Sequence, residues 1–530
     1  MKKLALLTIT IICSIPYFAY SQIVEWQNTI GGSQSDYLWS VQQTPDGGYI
    51  LGGYSDSDIS GDKTENSNGN EDFWILKMDS LGNIQWQNTI GGSDEDQLWI
   101  IERTMDGGYI LGGSTQSDIS GDKTDANNGY RDYWVVKIDS VGTIQWQNSI
   151  GGNSFEDLSN IKQTADGGYI LGGMSDSPIS GDKTESNMIV DYWIVKIDAS
   201  GNIQWENTIG GSEVDYFSYI IQTTDGGYIL GGESASNISG DKTENTNGQY
   251  DLWIVKIDAT GTIQWQNTIG GSDFEFLYSI QQTTDGGYML GAASSSPISG
   301  DKTENCNGLA DYWIVKIDST GTIQWQNTIG GNSLDELSAA WQTADGGYIL
   351  GGTSYSQMSG DKTENSIGGY DYWIVKTDAS GNIQWQNTIG GSDEDALGSI
   401  QQTTDGWYIL GGFSYSSISG DKTENCLGQT DYWLVKMGPD TSTGTLDSPP
   451  GINNWCYVYP NPAQSNLTIE TNTQSSQSRL LVTDILGNNV LVIPFTGNKH
   501  TIDVSSFSNG IYFLQMENES NVYRSKFVKE

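Results

Sequence analysis

The chain of 530 residues carries 66 Asp and Glu against 24 Lys and Arg, a net charge of −42, with 67 Gly, 19 Trp and a single His. Such a charge repels phosphate backbones, and with four arginines in all (Arg103, Arg131, Arg479 and Arg524) nucleic-acid binding is excluded. Hydrophobic residues at 36% and aromatics at 11% make it a folded protein, because disordered chains are poor in Trp and Tyr.

Residues 1–21 read as a secretory signal: Lys2 and Lys3, an apolar stretch from Leu4 to Phe18, then Ala19-Tyr20-Ser21 as a small-x-small cleavage site. Thr8, Thr10, Ser14 and Pro16 interrupt the stretch, which is short for a ~20-residue membrane helix. No other segment qualifies, so the sequence predicts an exported protein with no membrane-spanning segment. Of the four cysteines, Cys13 falls in this leader, and Cys306, Cys426 and Cys456 are too few and too scattered for a disulfide framework.

From Gln22 to Met437 a unit of about sixty residues recurs. A Trp after Ile/Val-Gln/Glu stands at Trp26, Trp86, Trp146, Trp205, Trp265, Trp325 and Trp385. A second Trp, after Asp-Tyr or a close variant, stands at Trp74, Trp134, Trp193, Trp253, Trp313, Trp373 and Trp433. Each unit predicts four strands: A (Leu38 to Thr44 in the first), B (Tyr49 to Ser55), C (Phe73 to Met78) and D (Ile84 to Ile90). Period-two alternation in D marks a half-buried strand, and apolar runs in C mark an interior one. Asp46-Gly47-Gly48 and Asp79-Ser80-Leu81-Gly82-Asn83 supply the hairpin turns.

Repeated four-stranded units predict an all-β fold, a β-propeller with one blade per unit. The region opens on a lone D strand (Val24 to Ile30) and closes on A, B and C ending at Met437. Seven blades closed one-plus-three use every strand. Residues 438–455, rich in Thr, Ser, Pro and Gly, read as a linker. Beyond it, strands at Leu467 to Glu470, Arg479 to Thr483, Asn489 to Ile493, Ile511 to Met516 and Tyr523 to Val528 predict a small antiparallel β-sandwich over 456–530.

That last segment carries Pro460-Asn461-Pro462-Ala463, Thr483-Asp484-Ile485-Leu486-Gly487, Phe507-Ser508-Asn509-Gly510-Ile511-Tyr512-Phe513 and Lys526-Phe527-Val528-Lys529 in order at the C-terminus. It resembles the type A sorting domain of type IX secretion, found in Bacteroidota. The resemblance implies passage through periplasm and outer membrane by the type IX machinery, then release or attachment to surface polysaccharide. The repeat region resembles propellers of such exported proteins and, more distantly, quinoprotein blades through Gly261-Thr262-Ile263-Gln264-Trp265, a likeness that says nothing about a cofactor.

With strand A innermost, the Asp-Gly turns share one face, and the B-to-C and D-to-A links share the other, where recognition belongs. An acidic residue recurs in each D-to-A link: Asp36, Asp96, Glu156, Asp215, Glu275, Asp335 and Asp395. The B-to-C loop repeats Gly-Asp-Lys-Thr and a following acid, giving the pairs Asp62 and Glu65, Asp122 and Asp125, Asp182 and Glu185, Asp241 and Glu244, Asp301 and Glu304, Asp361 and Glu364, Asp421 and Glu424. Two readings stay open: structural loops whose side chains bond local backbone, or ligands for Ca²⁺, which takes six to eight hard oxygens. The spacing is not that of an EF-hand, and the loop lysine opposes a cation.

The fourteen repeat tryptophans predict packing between blades, whereas Trp39, Trp99 and Trp407 break the repeat and are candidates for exposure. His500, the one histidine, lies in the C-terminal segment, which leaves the propeller without imidazole chemistry. The expectation is an exported, non-catalytic binding or surface-structural propeller, with a glycan or surface polysaccharide as a candidate partner. The alternative is a secreted carbohydrate-active enzyme using two carboxylates ~5–9.5 Å apart.

Overall fold

A computed structural model describes residues 24–438, 456–459, 463–484, 489–508, 510–517 and 522–529. The expected leader, all but the first residue of the expected linker, Pro460 to Pro462, Ile485 to Gly487 and Asn509 lie outside the described residues. The chain divides into two compact units, Met1–Pro439 and Asp440–Glu530.

The first unit is a seven-bladed β-propeller. Blade 1 orders strands A (Asp36–Gln43), B (Tyr49–Ser55), C (Asp72–Met78) and D (Ile84–Ile90) side by side, and the pattern repeats. Strands B and C are buried at every residue but Met174 and Phe413 of strand B, because a neighbouring blade covers each face. Strand D ends the sheet, which explains its alternating, half-exposed pattern. The A strands of neighbouring blades touch around the axis.

Blades join through an aromatic step. In six of the seven blades, Leu252 of blade 4 being the exception, the second residue of strand C lays its ring on the strand C Trp of the following blade, as in Tyr133 on Trp193, 5.0 Å between centroids, with the phenol donating to the Trp193 carbonyl at 3.0 Å. Tyr432 makes the same step onto Trp74 at 4.8 Å, so blade 7 meets blade 1 and the ring is closed. The fourth strand of blade 7 is Val24–Ile30, antiparallel to Asp431–Met437 in the register Thr29 to Trp433. Gln27 accepts from the Trp433 indole at 3.2 Å, as Gln87 does from Trp74 at 3.1 Å.

The second unit is a five-stranded sheet: Cys456–Tyr459, Asn466–Asp484, Asn489–Asp503, Gly510–Glu517 and Val522–Lys529. Two expected strands, Leu467 to Glu470 and Arg479 to Thr483, are one strand, because the polar run between them keeps its backbone paired. Leu467 and Ile469 from its first part share a core with Leu480, Val482 and Leu514.

Candidate functional site

The loop carboxylates read as calcium candidates sit at the blade seams, all but Asp125 on a backbone N–H. Asp62 Oδ2 accepts from Gly31 at 3.3 Å, and Asp122, Asp182, Asp241, Asp301, Asp361 and Asp421 bond the equivalent Gly at 3.2–3.3 Å. Glu65 accepts from Thr89 at 2.7 Å, and Glu185, Glu244, Glu304, Glu364 and Glu424 do likewise on their strands D at 2.6–2.8 Å. Asp125, one methylene shorter, instead offers its carbonyl to Lys123.

The acids of one loop therefore part to different seams. A loop Glu meets the loop Asp of the next blade, as Glu185 and Asp241 do in lining one 460 Å³ cleft. Glu206 lines the same cleft but accepts from Trp193 and Thr184, and among the described residues no group of three or more His, Cys, Asp or Glu is placed to hold a metal ion. The loop lysine turns inward, with Lys63 1% exposed and its ammonium 5.4 Å from the centre of the Trp74 ring. The D-to-A acids, expected on the surface, are buried as the first residues of strand A.

An axial channel of 480 Å³ is walled by strand A of all seven blades. Every strand A has a β-bulge after its third residue, visible as the register shift at Leu38/Ser40 in blade 1 and at Leu98/Ile100 in blade 2. Bulges bend a strand and re-aim a side chain. The bulged residues are Trp39, Trp99, Ser159, Ser218, Tyr278, Ser338 and Gly398, all on the channel wall. Trp39 and Trp99, expected to be exposed, are thus half-buried in the channel, while Trp407 lies half-buried at its turn beneath the Lys436 ammonium, 5.5 Å from the ring centre.

The wall is lopsided. On one side Trp39 packs edge-on to Trp99 at 5.3 Å and Phe413 at 5.7 Å, with Tyr37 and Tyr54 completing the cluster. The Trp99 indole N–H is buried without an acceptor. Across the mouth, Tyr216, Tyr250, Phe274 and Phe276 form a run of near-parallel rings 5.8–6.1 Å apart, with Tyr216 39% and Phe276 38% exposed.

Between the aromatic groups the wall is polar. Glu102 and Lys162, from adjacent blades, form an ion pair. Burial opposes the Lys162 ammonium, but the neighbouring carboxylate overrides it and holds the pKa above the usual lysine range. Asp157 binds Arg131 at 3.3 Å. Behind the wall, burial lifts the Glu233 carboxyl to about 8, against the hydrogen bonds it accepts from the Leu277 N–H and the Ser218 hydroxyl.

Sequence reading picked out Trp39 and Trp99 but missed the wall as a whole. The signal was comparison of the repeats with one another. Strand C reads Asp-Tyr-Trp-Ile-Val-Lys-Ile with little change, and strand D keeps an exposed Gln (Gln85 in blade 1) in six of seven copies. The second, fourth, fifth and seventh positions of strand A and the sixth of strand B change from blade to blade. Exposure alone does not account for this, because the exposed Gln stays.

Fold and motifs together define an exported seven-bladed β-propeller that carries a type IX sorting domain. Residues 457–530 match the family described as the secretion system C-terminal sorting domain. Among curated proteins the chain is similar to the regulatory protein FlaEY of Caulobacter vibrioides, 22% identical over 376 residues, covering 64% of this chain. It spans 38% of that relative's length. Among solved structures it is similar to PorZ, described as an essential bacterial surface component of the type IX secretion system of Porphyromonas gingivalis, at 11% identity and TM-score 0.42 over 94% of this chain and 60% of that one. It is also similar to the Synechocystis apocarotenoid oxygenase, at 11% identity and TM-score 0.39 over 73% and 89% of the two chains. No described helix is long and apolar enough to cross a membrane.

Proposed function

We propose that residues 22–437 are a non-catalytic binding module whose ligand, a neutral glycan, enters the axial channel from the face of the D-to-A links. In this reading residues 1–21 are a removable leader and 438–455 a linker to the sorting domain. The observation that carries it is that the repeats diverge along the bulged channel wall and in the D-to-A and B-to-C links on the face around its mouth, while strand C and the exposed Gln of strand D change little. Duplicated units change where a shared ligand asks something different of each copy.

The chemistry fits a sugar. Aromatic faces stack on its apolar side, and the Ser159, Ser218 and Ser338 hydroxyls on the wall supply polar partners. The charge of −42 disfavours sulfated and uronic chains. In the alternative, a carboxylate-dependent carbohydrate-active enzyme, the acids of the wall would act on the bound sugar. Glu102 and Asp157 are each held by a cation, which supports binding over catalysis.

Purified protein on a glycan array, beside a reducing-sugar release assay on the bound glycans, separates the two. The expected result is binding without release, weakened about tenfold or more by joint Trp39→Ala and Trp99→Ala substitution. Release of sugar establishes the enzyme, and binding indifferent to both substitutions removes the channel as the site.

Calcium at the seams is a separate proposal, supported by the cleft between Glu185 and Asp241. Specific sites raise the melting temperature at millimolar calcium and fixed ionic strength, since a hundredfold excess over Kd adds about 2.7 kcal/mol. A melting temperature indifferent to calcium and to chelator leaves these carboxylates as backbone caps.

A further inference from the structure

Each blade seam buries two carboxylates side by side. The first residue of strand C meets the first residue of the next blade's strand A: Asp431 with Asp36, Asp72 with Asp96, Asp251 with Glu275, and so around the ring. All are within 3% of fully buried. Glycine ends each strand D here because the carboxylates fill the space a side chain would take. A Cβ on Gly270 would fall against Asp251 Oδ1 and 2.7 Å from Glu275 Oε2.

In the Asp251 seam every carboxylate oxygen but one has a donor; where strand A begins with Asp36, Asp96, Asp215 or Asp395, the Oδ1 of that residue lacks one as well. Beside Asp251, Glu275 Oε2 accepts from the Gly271 N–H at 2.9 Å and its Oε1 from the Ser294 hydroxyl at 2.7 Å. Asp251 Oδ2 accepts from the Asn247 N–H. Asp251 Oδ1, facing Glu275, has no donor, and the same Oδ1 is without one in all seven strand C aspartates. A buried carboxylate oxygen beside another carboxylate and lacking a donor is costly, and a single shared proton removes both costs.

Charge counting gives the same number. At each seam two buried carboxylates face one buried lysine of the B-to-C loop, leaving one negative charge; the second buried lysine of each blade, on strand C, is paired with the Asp-Gly turn on the other face, as Lys77 is with Asp46. The charges facing Asp251 are Glu275 and Lys242, and Lys242 lies in turn against Asp215 and Glu244. On the far side Lys302 faces Glu275, Asp311, Glu304 and the Cys306 thiol.

We propose that each of the seven seams binds one proton, with the strand C aspartate as a carboxylic acid donating from Oδ1 to the strand A carboxylate of the next blade. The propeller is closed by a ring of seven such protons. It loosens as they leave.

Titration directions agree. Burial lifts Asp72, Asp251 and Asp311 to about 7 and Asp132, Asp191, Asp371 and Asp431 to about 6, the neighbouring carboxylate adding to the rise and a backbone N–H and the lysine opposing it. These values lie above the ordinary 3.8, so the folded state holds more protons than the unfolded one. The stabilisation is full below that ordinary value and is lost as pH rises through 6–7. The propeller has no histidine, and Glu233 is silenced by Glu233→Gln; burial brings the seam lysines Lys242 and Lys362 down to about 8, and because they hold fewer protons folded than unfolded they oppose the fall only at the upper end of the window.

The test follows melting temperature from about pH 5.5 to about pH 8 in the full chain carrying Glu233→Gln, at fixed ionic strength, with chelator or with added calcium or potassium. The expected result is a fall of about 5 °C or more, insensitive to either cation. Asn in place of the seven strand C aspartates supplies an N–H where the acid had its O–H, and should flatten the profile without lowering its acid end. Should the sevenfold variant fail to fold, difference infrared spectroscopy of the Glu233→Gln chain reads the carbonyl band of protonated carboxyls, expected at acid pH and lost by pH ~8. A flat melting profile, absence of that band, or a fall at high pH that calcium or potassium reverses would each overturn the proton assignment.

Discussion

Deleting Val24–Ile30 is expected to open the ring and make the propeller aggregate. Strand C of blade 7, Asp431–Met437, is buried at every residue, and Val24–Ile30 is what pairs its outer edge. Without it a row of N–H and C=O groups is left on an apolar strand, the setting in which edges recruit other chains. Packing is lost too. Ile30 is 3% exposed and joins the core of Leu38, Trp74 and Tyr432, and the Trp26 ring meets Tyr49 of blade 1 at 5.7 Å. Full burial of an Ile stabilises by about 1.5–3 kcal/mol, so the deletion should cost several kcal/mol before the edge is counted. The deleted protein should melt far lower and elute from size exclusion as aggregate, and a synthetic peptide spanning Val24–Ile30 should restore both. Unchanged melting and elution would mean the ring closes without the clasp.

Closure was legible in the sequence because the count of strands demanded it: a lone D at one end and a missing D at the other. The seam chemistry was less legible. Gly-Asp-Lys-Thr looked like one loop with a local ligand set, but a propeller sends neighbours along the chain to different partners in space. Asp62 crosses the seam to Gly31 of blade 7, whereas Glu65 bonds Thr89 on strand D of its own blade. The acids before strand A looked like surface residues since they follow Gly-Gly links, yet the chain turns inward there and buries them. In the second unit the polar run from Thr471 to Ser478 hid a continuous strand, because its alternation carries no apolar signal although its backbone pairs with Asn489–Asp503. Trp39 and Trp99 stood out as departures from the repeat, but the bulge that aims them into the channel is a backbone feature without a sequence signal of its own.

Truncating one strand C tryptophan is expected to break a single seam. Trp193 is fully buried; its ring meets Tyr133 of blade 2 at 5.0 Å and its indole donates to Glu206 at 2.7 Å. The Lys183 ammonium lies 5.5 Å from the ring centre. Trp193→Ala leaves a cavity between blades 2 and 3, an unpaired Glu206 oxygen and a buried lysine without its aromatic face. Large-to-small changes of this kind cost about 3–5 kcal/mol. Trp146→Ala, in the half-exposed strand D of blade 2 with its ring 5.9 Å from Tyr169, should cost far less. In a repeat architecture each blade contacts chiefly its neighbours, so the loss should stay local. Hydrogen exchange should quicken first in strands C of blades 2 and 3, Asp132–Ile138 and Asp191–Ile197, while blades 5 and 6 keep their protection. Uniform loss of protection around the ring would instead show that the propeller opens as one cooperative unit, and equal costs for the two tryptophans would show that burial at the seam is not what distinguishes them.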